Sequence, residues 1–168
     1  MARILIVGGG CRGRSFAEAM VAQGHAVRAT TRTEDGRAAI EALGAECWIG
    51  TPDRLATLRG ALENVTIACW MLAEAHGEPK ELTALHGSRL EFFLSQAIDT
   101  TVRGLIYDAS PGSIRPELLA GGQQLFGSLT ELNAIPAVVL GGGGVDGGQA
   151  WVDQACGAVA SLLAARRV

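Results

Sequence analysis

Apolar and polar positions along the chain follow two alternating periods. Short apolar, β-branched runs of four to six residues are separated by longer stretches in which apolar residues recur three and four apart. Arg3–Val7 is the first such run, closed by Gly8; Phe16 and Met20, four apart, then share one helical face until Gly24, which is placed as a left-handed stop. Ala26–Thr31 reads as a second strand, Glu34–Leu43 as a second helix ended by Gly44, and Glu46–Ile49 as a third strand. Thr51-Pro52 has the form of an N-cap followed by proline at the first helical position, which predicts a helix to about Arg59. Val65–Cys69 is the fourth strand. From about Glu81 to Ile98 apolar groups surround much of the circumference, predicting one long helix buried on more than one side. Val102–Tyr107 is the fifth strand, Leu118, Leu125, Leu129 and Leu132 form one stripe of the next helix, and Ala137–Leu140 is the sixth strand. The last helix carries Trp151, Ala155, Val159 and Leu162 on one face, with Arg166 and Arg167 near its negative end.

Strands and helices that alternate throughout build βαβ units. With right-handed crossovers the expected architecture is α/β: a single doubly wound domain over residues 1–168, with a mostly parallel six-stranded sheet of order 3-2-1-4-5-6. Such a sheet places ligands over the carboxyl ends of strands one, four and five. A chain of 168 residues suits one domain, and with 48% hydrophobic but only 5% aromatic residues its core must be built from Ala, Val, Leu and Ile. The glycine-rich run Gly141–Gly148 is expected to be a mobile loop, because glycine loses the most backbone entropy on ordering.

Charge and cysteine usage narrow the function classes. The 14 basic and 17 acidic residues are scattered and sum to −3, which argues against nucleic acid or an anionic membrane as partner. Cys11, Cys47, Cys69 and Cys156 have no CxxC spacing and no histidine at ligand distance, so they read as free thiols with no metal site. No apolar run approaches the ~18 residues of a membrane span, and the first run is too short for a signal peptide; a cytoplasmic protein is expected.

The chemistry concentrates in Gly8-Gly9-Gly10-Cys11-Arg12-Gly13, a G-x-G-x-x-G placed directly after a strand and before a helix, which is the Rossmann fingerprint. Gly8 serves the tight turn, Gly10 lets a diphosphate approach the backbone, and Gly13 lets the helix pack on the strand, while Cys11 and Arg12 fill the variable positions. The phosphates then meet unpaired N–H groups and the positive end of the helix dipole. At the end of strand two, where NAD sites place a carboxylate on the ribose, stand Thr30-Thr31-Arg32-Thr33. Nothing there repels a 2′-phosphate, and Arg32 together with Arg12 is expected to grip one, so NADP is the expected cofactor and NAD the alternative. In the alternative Arg32 is a solvated strand-end cation, and Glu34 or Asp35 holds the ribose.

The segments Ile-Val-Gly-Gly-Gly-Cys-Arg-Gly-Arg at 6–14 and Gly-His-Ala-Val-Arg-Ala-Thr-Thr-Arg at 24–32 resemble the atypical short-chain dehydrogenase/reductases, including NmrA-like proteins. Leu-Gly-Ala-Glu at 43–46 and Ile-Tyr-Asp-Ala-Ser at 106–110 are similar to that family's third and fifth strands. The resemblance implies a contact between Arg32 and the NADP phosphate. It also implies an acid near adenine, where the usual Gly-Asp is replaced by Gly50-Thr51-Pro52-Asp53 and Asp53 is the candidate. The chain departs from the classical members in lacking Tyr-x-x-x-Lys: its one tyrosine, Tyr107, lies in strand five and its one lysine, Lys80, follows strand four. It also ends where such relatives carry a substrate-binding extension.

Ser110 matches the position of the family's catalytic serine and is a candidate to hydrogen-bond a substrate carbonyl, against a plain Ser110-Pro111-Gly112 turn. His76 is the candidate for proton transfer, against a solvated loop histidine. His86 reads as surface or core filler, and Asp108 as a loop cap or an orienting group. Cys11 is either a redox-sensitive gate at a helix N-terminus or a small loop filler, and Trp151 with the last helical stripe is either a homodimer face or core. Two main functions follow. One is an NADP(H)-dependent oxidoreductase acting on a small carbonyl, quinone or flavin acceptor; the other, from the NmrA-like resemblance, is a non-catalytic NADP(H) sensor that signals to a regulatory protein partner. A domain that has lost its cofactor is the third reading.

Overall fold

The structure is a computed structural model that describes residues 1–141 and 148–165. Most of the expected mobile loop, 142–147, lies outside the described residues, as do Arg166 and Arg167. The strands are β1 (Arg3–Gly8), β2 (Ala26–Thr31), β3 (Glu46–Ile49), β4 (Ile67–Met71), β5 (Gly104–Asp108) and β6 (Ala137–Leu140). All pair in parallel, in the order β3-β2-β1-β4-β5-β6, as the alternation of patterns predicts. The helices are α1 (Gly10–Ala22), α2 (Arg37–Glu41), α3 (Pro79–Leu85), α4 (Ser88–Ile98), α5 (Pro116–Leu132) and α6 (Gln149–Ala165).

The central strand shows why its sequence is an unbroken apolar run. Ile4, Leu5, Ile6 and Val7 are all fully buried, and alternate side chains serve opposite faces of the sheet. Ile4 and Ile6 join Phe16 and Met20 of α1 and Trp151, Ala155, Val159 and Leu162 of α6. Leu5 and Val7 join Phe93 and Leu94 of α4 and Phe126 of α5. Each such side chain contributes roughly 1.5–3 kcal/mol on burial, so the two layers clamp β1 and fix where its carboxyl end emerges. The stripe of α6 is therefore core, packed inside the chain, and is not an exposed dimer face. Helix α1 ends as its Gly24 predicts: with φ at +85°, the His25 N–H reaches Met20 O at 3.0 Å and the Gly24 N–H reaches Val21 O at 2.9 Å.

Four local expectations change. The helix expected to open at Thr51-Pro52 is replaced by a Thr51–Arg54 turn and two 3-10 turns, Leu55–Leu58 and Gly60–Leu62. Tertiary partners take the groups an α-helix would need: the Trp48 indole donates to Thr57 O at 2.7 Å, and the Thr51 N–H donates to the Thr57 hydroxyl at 2.9 Å. The second helix shortens to a 3-10 turn, Glu34–Gly36, and the five residues of α2. The long helix splits into α3 and α4 at His86-Gly87. The stripe of α5 is centred on Leu119, Gly122, Phe126 and Thr130, which leaves Leu132 81% exposed.

The split at His86 has a physical cause. Its ring is buried, with Nδ1 2.7 Å from the Tyr107 hydroxyl and Nε2 3.1 Å from Leu72 O. A carbonyl only accepts, so Nε2 carries the hydrogen, and in the neutral ring that burial favours Nδ1 accepts from the tyrosine O–H. His86 is thus a structural strut between β4 and β5. Burial lowers its pKa below the ordinary 6.5, against opposing pulls from the Leu72 carbonyl and Asp108. His25 is lowered too, by desolvation and the nearby N-terminus. The folded state therefore binds fewer protons than the unfolded one: stability is complete above about pH 6.5 and declines as pH falls towards the folded values. Thermal midpoints measured from about pH 7 down to pH 5 should fall, and His86→Gln should flatten that fall; an unchanged slope in the variant would contradict the role of His86.

Candidate functional site

The carboxyl ends of β1 and β4 open onto a cavity of about 770 Å³, within the range of small-molecule sites. Its floor is the glycine turn, and Met71, Leu72, Glu74, Ala75, His76, Ser113 and Arg32 line the rest. Gly13 has the close-packing role its spacing predicts, since a Cβ there would lie 2.7 Å from Gly8 O and would push α1 off β1. Gly10 is different: at φ +52°, a Cβ would meet nothing within 4 Å. Helix α1 has no side-chain cap and no acidic residue in its first turn. Among the described residues its first amides therefore have no side-chain partner and face open space, and this arrangement fits a diphosphate. Cys11 is exposed at the same edge, with the Arg14 guanidinium 3.2 Å from its sulfur. Thr30 steadies the turn by accepting from the Gly8 N–H at 3.3 Å, and the side chain of Thr31, named from the sequence as a cofactor contact, packs on Gly36.

At the far end of the cavity Arg32 is 65% exposed and pairs with Asp53 Oδ2 at 3.1 Å. Asp53 is shared: its Oδ1 accepts from Arg89 at 2.6 Å, and the Thr51 hydroxyl donates to Oδ2 at 3.3 Å. Glu34, one alternative for the ribose, is engaged by Arg37 at 2.6 Å, whose guanidinium holds its carboxyl below the ordinary range.

Arg12 does not join Arg32. Its guanidinium turns under the β4–β5 edge, 3.2 Å from Asp108 Oδ2 and 3.3 Å from Glu74 Oε2, and 4.7 Å from the Trp151 ring centroid. Asp108 is 1% exposed and fully engaged: Oδ1 accepts from the Ser110 N–H at 3.0 Å, from the Ser110 hydroxyl, and from the Trp151 indole at 3.3 Å. The Ser110 hydroxyl is therefore buried and committed to Asp108, not turned to the cavity for a substrate carbonyl. His76 is exposed on the cavity wall. No local pattern marks Arg89, Glu74 or the contact of Trp151 with Asp108, because each pairing joins segments distant in the chain. Among the described residues no group of three His, Cys, Asp or Glu is placed to hold a metal ion, and no helix is long and apolar enough to cross a membrane.

Sheet order, glycine turn and cavity together define a doubly wound α/β fold of the Rossmann type. Among solved structures, gox2253 shares it at TM-score 0.68 and 21% identity, over 84% of this chain and 51% of that one. Vestitone reductase from alfalfa (Medicago sativa) matches at 0.66 and 13%, over 84% and 56% of the two chains. The Citrobacter triphenylmethane reductase, complexed with NADP(H), matches at 0.64 and 19%, over 83% and 48%. These neighbours are in keeping with the short-chain dehydrogenase/reductase resemblance, and at such identities they show the fold. The chain spans about half the length of the structures it matches. No protein-family model matches the sequence, and neither does any curated protein.

Proposed function

We propose that this chain binds NADP(H) and supports hydride exchange with a small carbonyl, quinone or flavin acceptor. The observation that carries the reading is one cavity with the open backbone of Gly10 on its floor and the exposed Arg32 guanidinium on its wall. The α1 amides hold the diphosphate, Arg32 takes the 2′-phosphate, and Asp53 stands beside the adenosine end. When bound, the nicotinamide supplies or accepts the hydride. His76, exposed on the cavity wall, is the group placed to move a proton. The triphenylmethane reductase neighbour, solved in complex with NADP(H), supports a nicotinamide cofactor.

The test of the phosphate assignment is Arg32→Ala. Loss of charge-assisted hydrogen bonds should weaken NADPH binding about tenfold to a hundredfold with little change for NADH, read by calorimetry. Equal changes for both, or none, would remove the assignment. A sensor of NADP(H) acting on a protein partner is the second reading, favoured by a specific observation: the Ser110 and Tyr107 hydroxyls at the end of β5 are buried and committed to Asp108 and His86. NADPH turnover over a panel of carbonyls, quinones and flavins separates the two. Oxidation above background supports the enzyme; binding without turnover supports the sensor.

A further inference from the structure

We propose that Arg89 is a positioning residue for cofactor choice: by retaining Asp53, it releases Arg32 to the 2′-phosphate of NADP(H). The inference rests on the NADP(H) reading above and concerns the same end of the cavity. Asp53 has two oxygens and two guanidinium partners, one on each: Arg89 on Oδ1 at 2.6 Å and Arg32 on Oδ2 at 3.1 Å. The two pairs are unequal. The Arg89 side chain is 24% exposed and its contact is short, whereas Arg32 is 65% exposed with a longer contact, so Arg32 holds the more solvated and weaker pair. Arg32 also lines the cavity, and Arg89 is not among its lining residues.

A phosphate dianion arriving at Arg32 must draw it from Asp53. Were Arg32 the sole partner, that exchange would leave an unpaired carboxylate beside the incoming dianion, and like charges at such range repel. Arg89 removes the problem by staying on Oδ1. Thr51 helps to hold the acid in place, with its hydroxyl accepting from the Asp53 N–H at 3.2 Å and donating to Oδ2 at 3.3 Å. NADH presents a ribose hydroxyl instead of a phosphate. A hydroxyl can donate to Asp53, so loss of Arg89 carries no equivalent penalty for NADH.

The experiment is calorimetry of NADPH and NADH binding to the full chain and to Arg89→Gln, Arg89→Lys and Arg89→Gln/Asp53→Asn. Arg89→Gln should lower NADPH affinity roughly fivefold while NADH affinity is kept or rises, so the ratio of the two shifts by at least that factor. Arg89→Lys, which keeps the charge, should retain most of the preference. The double variant should recover NADPH binding, because an amide at 53 neither detains Arg32 nor repels the phosphate. Equal losses for both nucleotides in Arg89→Gln, or no recovery in the double variant, would overturn the role of Arg89 while leaving the NADP(H) reading intact. If Arg32→Ala fails to change the preference, the reading beneath it falls as well.

Discussion

Gly10→Asn should abolish dinucleotide binding and leave the fold standing. Asparagine tolerates the left-handed region better than most residues, so φ at +52° is kept at small cost. The new side chain enters space where nothing lies within 4 Å of a Cβ. It therefore displaces a ligand rather than a neighbour. Losing two charge-assisted N–H contacts of about 1.5–3 kcal/mol each corresponds to an affinity loss of about a hundredfold or more. The thermal midpoint should move by only a few degrees. Gly13→Ala makes the contrast: its methyl would sit 2.7 Å from Gly8 O, α1 would have to lift from β1, and stability should fall by about 1–3 kcal/mol along with binding. Unimpaired binding by Gly10→Asn would show that the diphosphate does not approach this turn.

Asp108→Ala should cost the most stability of any single change near the site. The substitution leaves three donors without their acceptor, the Ser110 N–H, the Ser110 hydroxyl and the Trp151 indole, and leaves Arg12 paired only with the half-exposed Glu74. Removing one partner of a buried ion pair costs about 3–5 kcal/mol, a large part of the roughly 5–15 kcal/mol that holds a domain of this size. Urea unfolding should show the midpoint falling accordingly. Arg12→Met should cost less, since Asp108 keeps three donors, and Arg12→Met/Asp108→Leu should recover part of the loss because no buried charge is then left alone. A loss under about 1 kcal/mol in Asp108→Ala would mean that the network contributes little to the fold.

What was legible in the sequence is local and periodic. The Gly8-x-Gly10-x-x-Gly13 spacing, the stops at Gly24 and Gly44 and the apolar run of β1 each act within a few residues, and the sheet order follows from their alternation. The 3-10 turns after Thr51 were not legible, because Trp48 and Thr57 decide them by taking backbone groups that an N-cap and proline alone would assign to a helix. Nor was the fate of Arg12. As a residue of the glycine turn it reads as a phosphate ligand, but Asp108, 96 positions away in sequence, claims it. The same distance effect turns Ser110 from a candidate catalytic group into a ligand of Asp108, and turns His86 from filler into the strut that breaks the long helix. Arg32 lines the cavity and pairs with Asp53, yet the second guanidinium on that acid arrives from α4, which no motif announces.

The central claim is that the uncapped N-terminus of α1 and the Arg32 side chain together hold an NADP(H) molecule. Isothermal titration of the full chain with NADPH and, separately, NADH tests it directly. The account predicts heat of association with both and tighter binding of NADPH; no heat with either nucleotide would contradict it and leave only the fold.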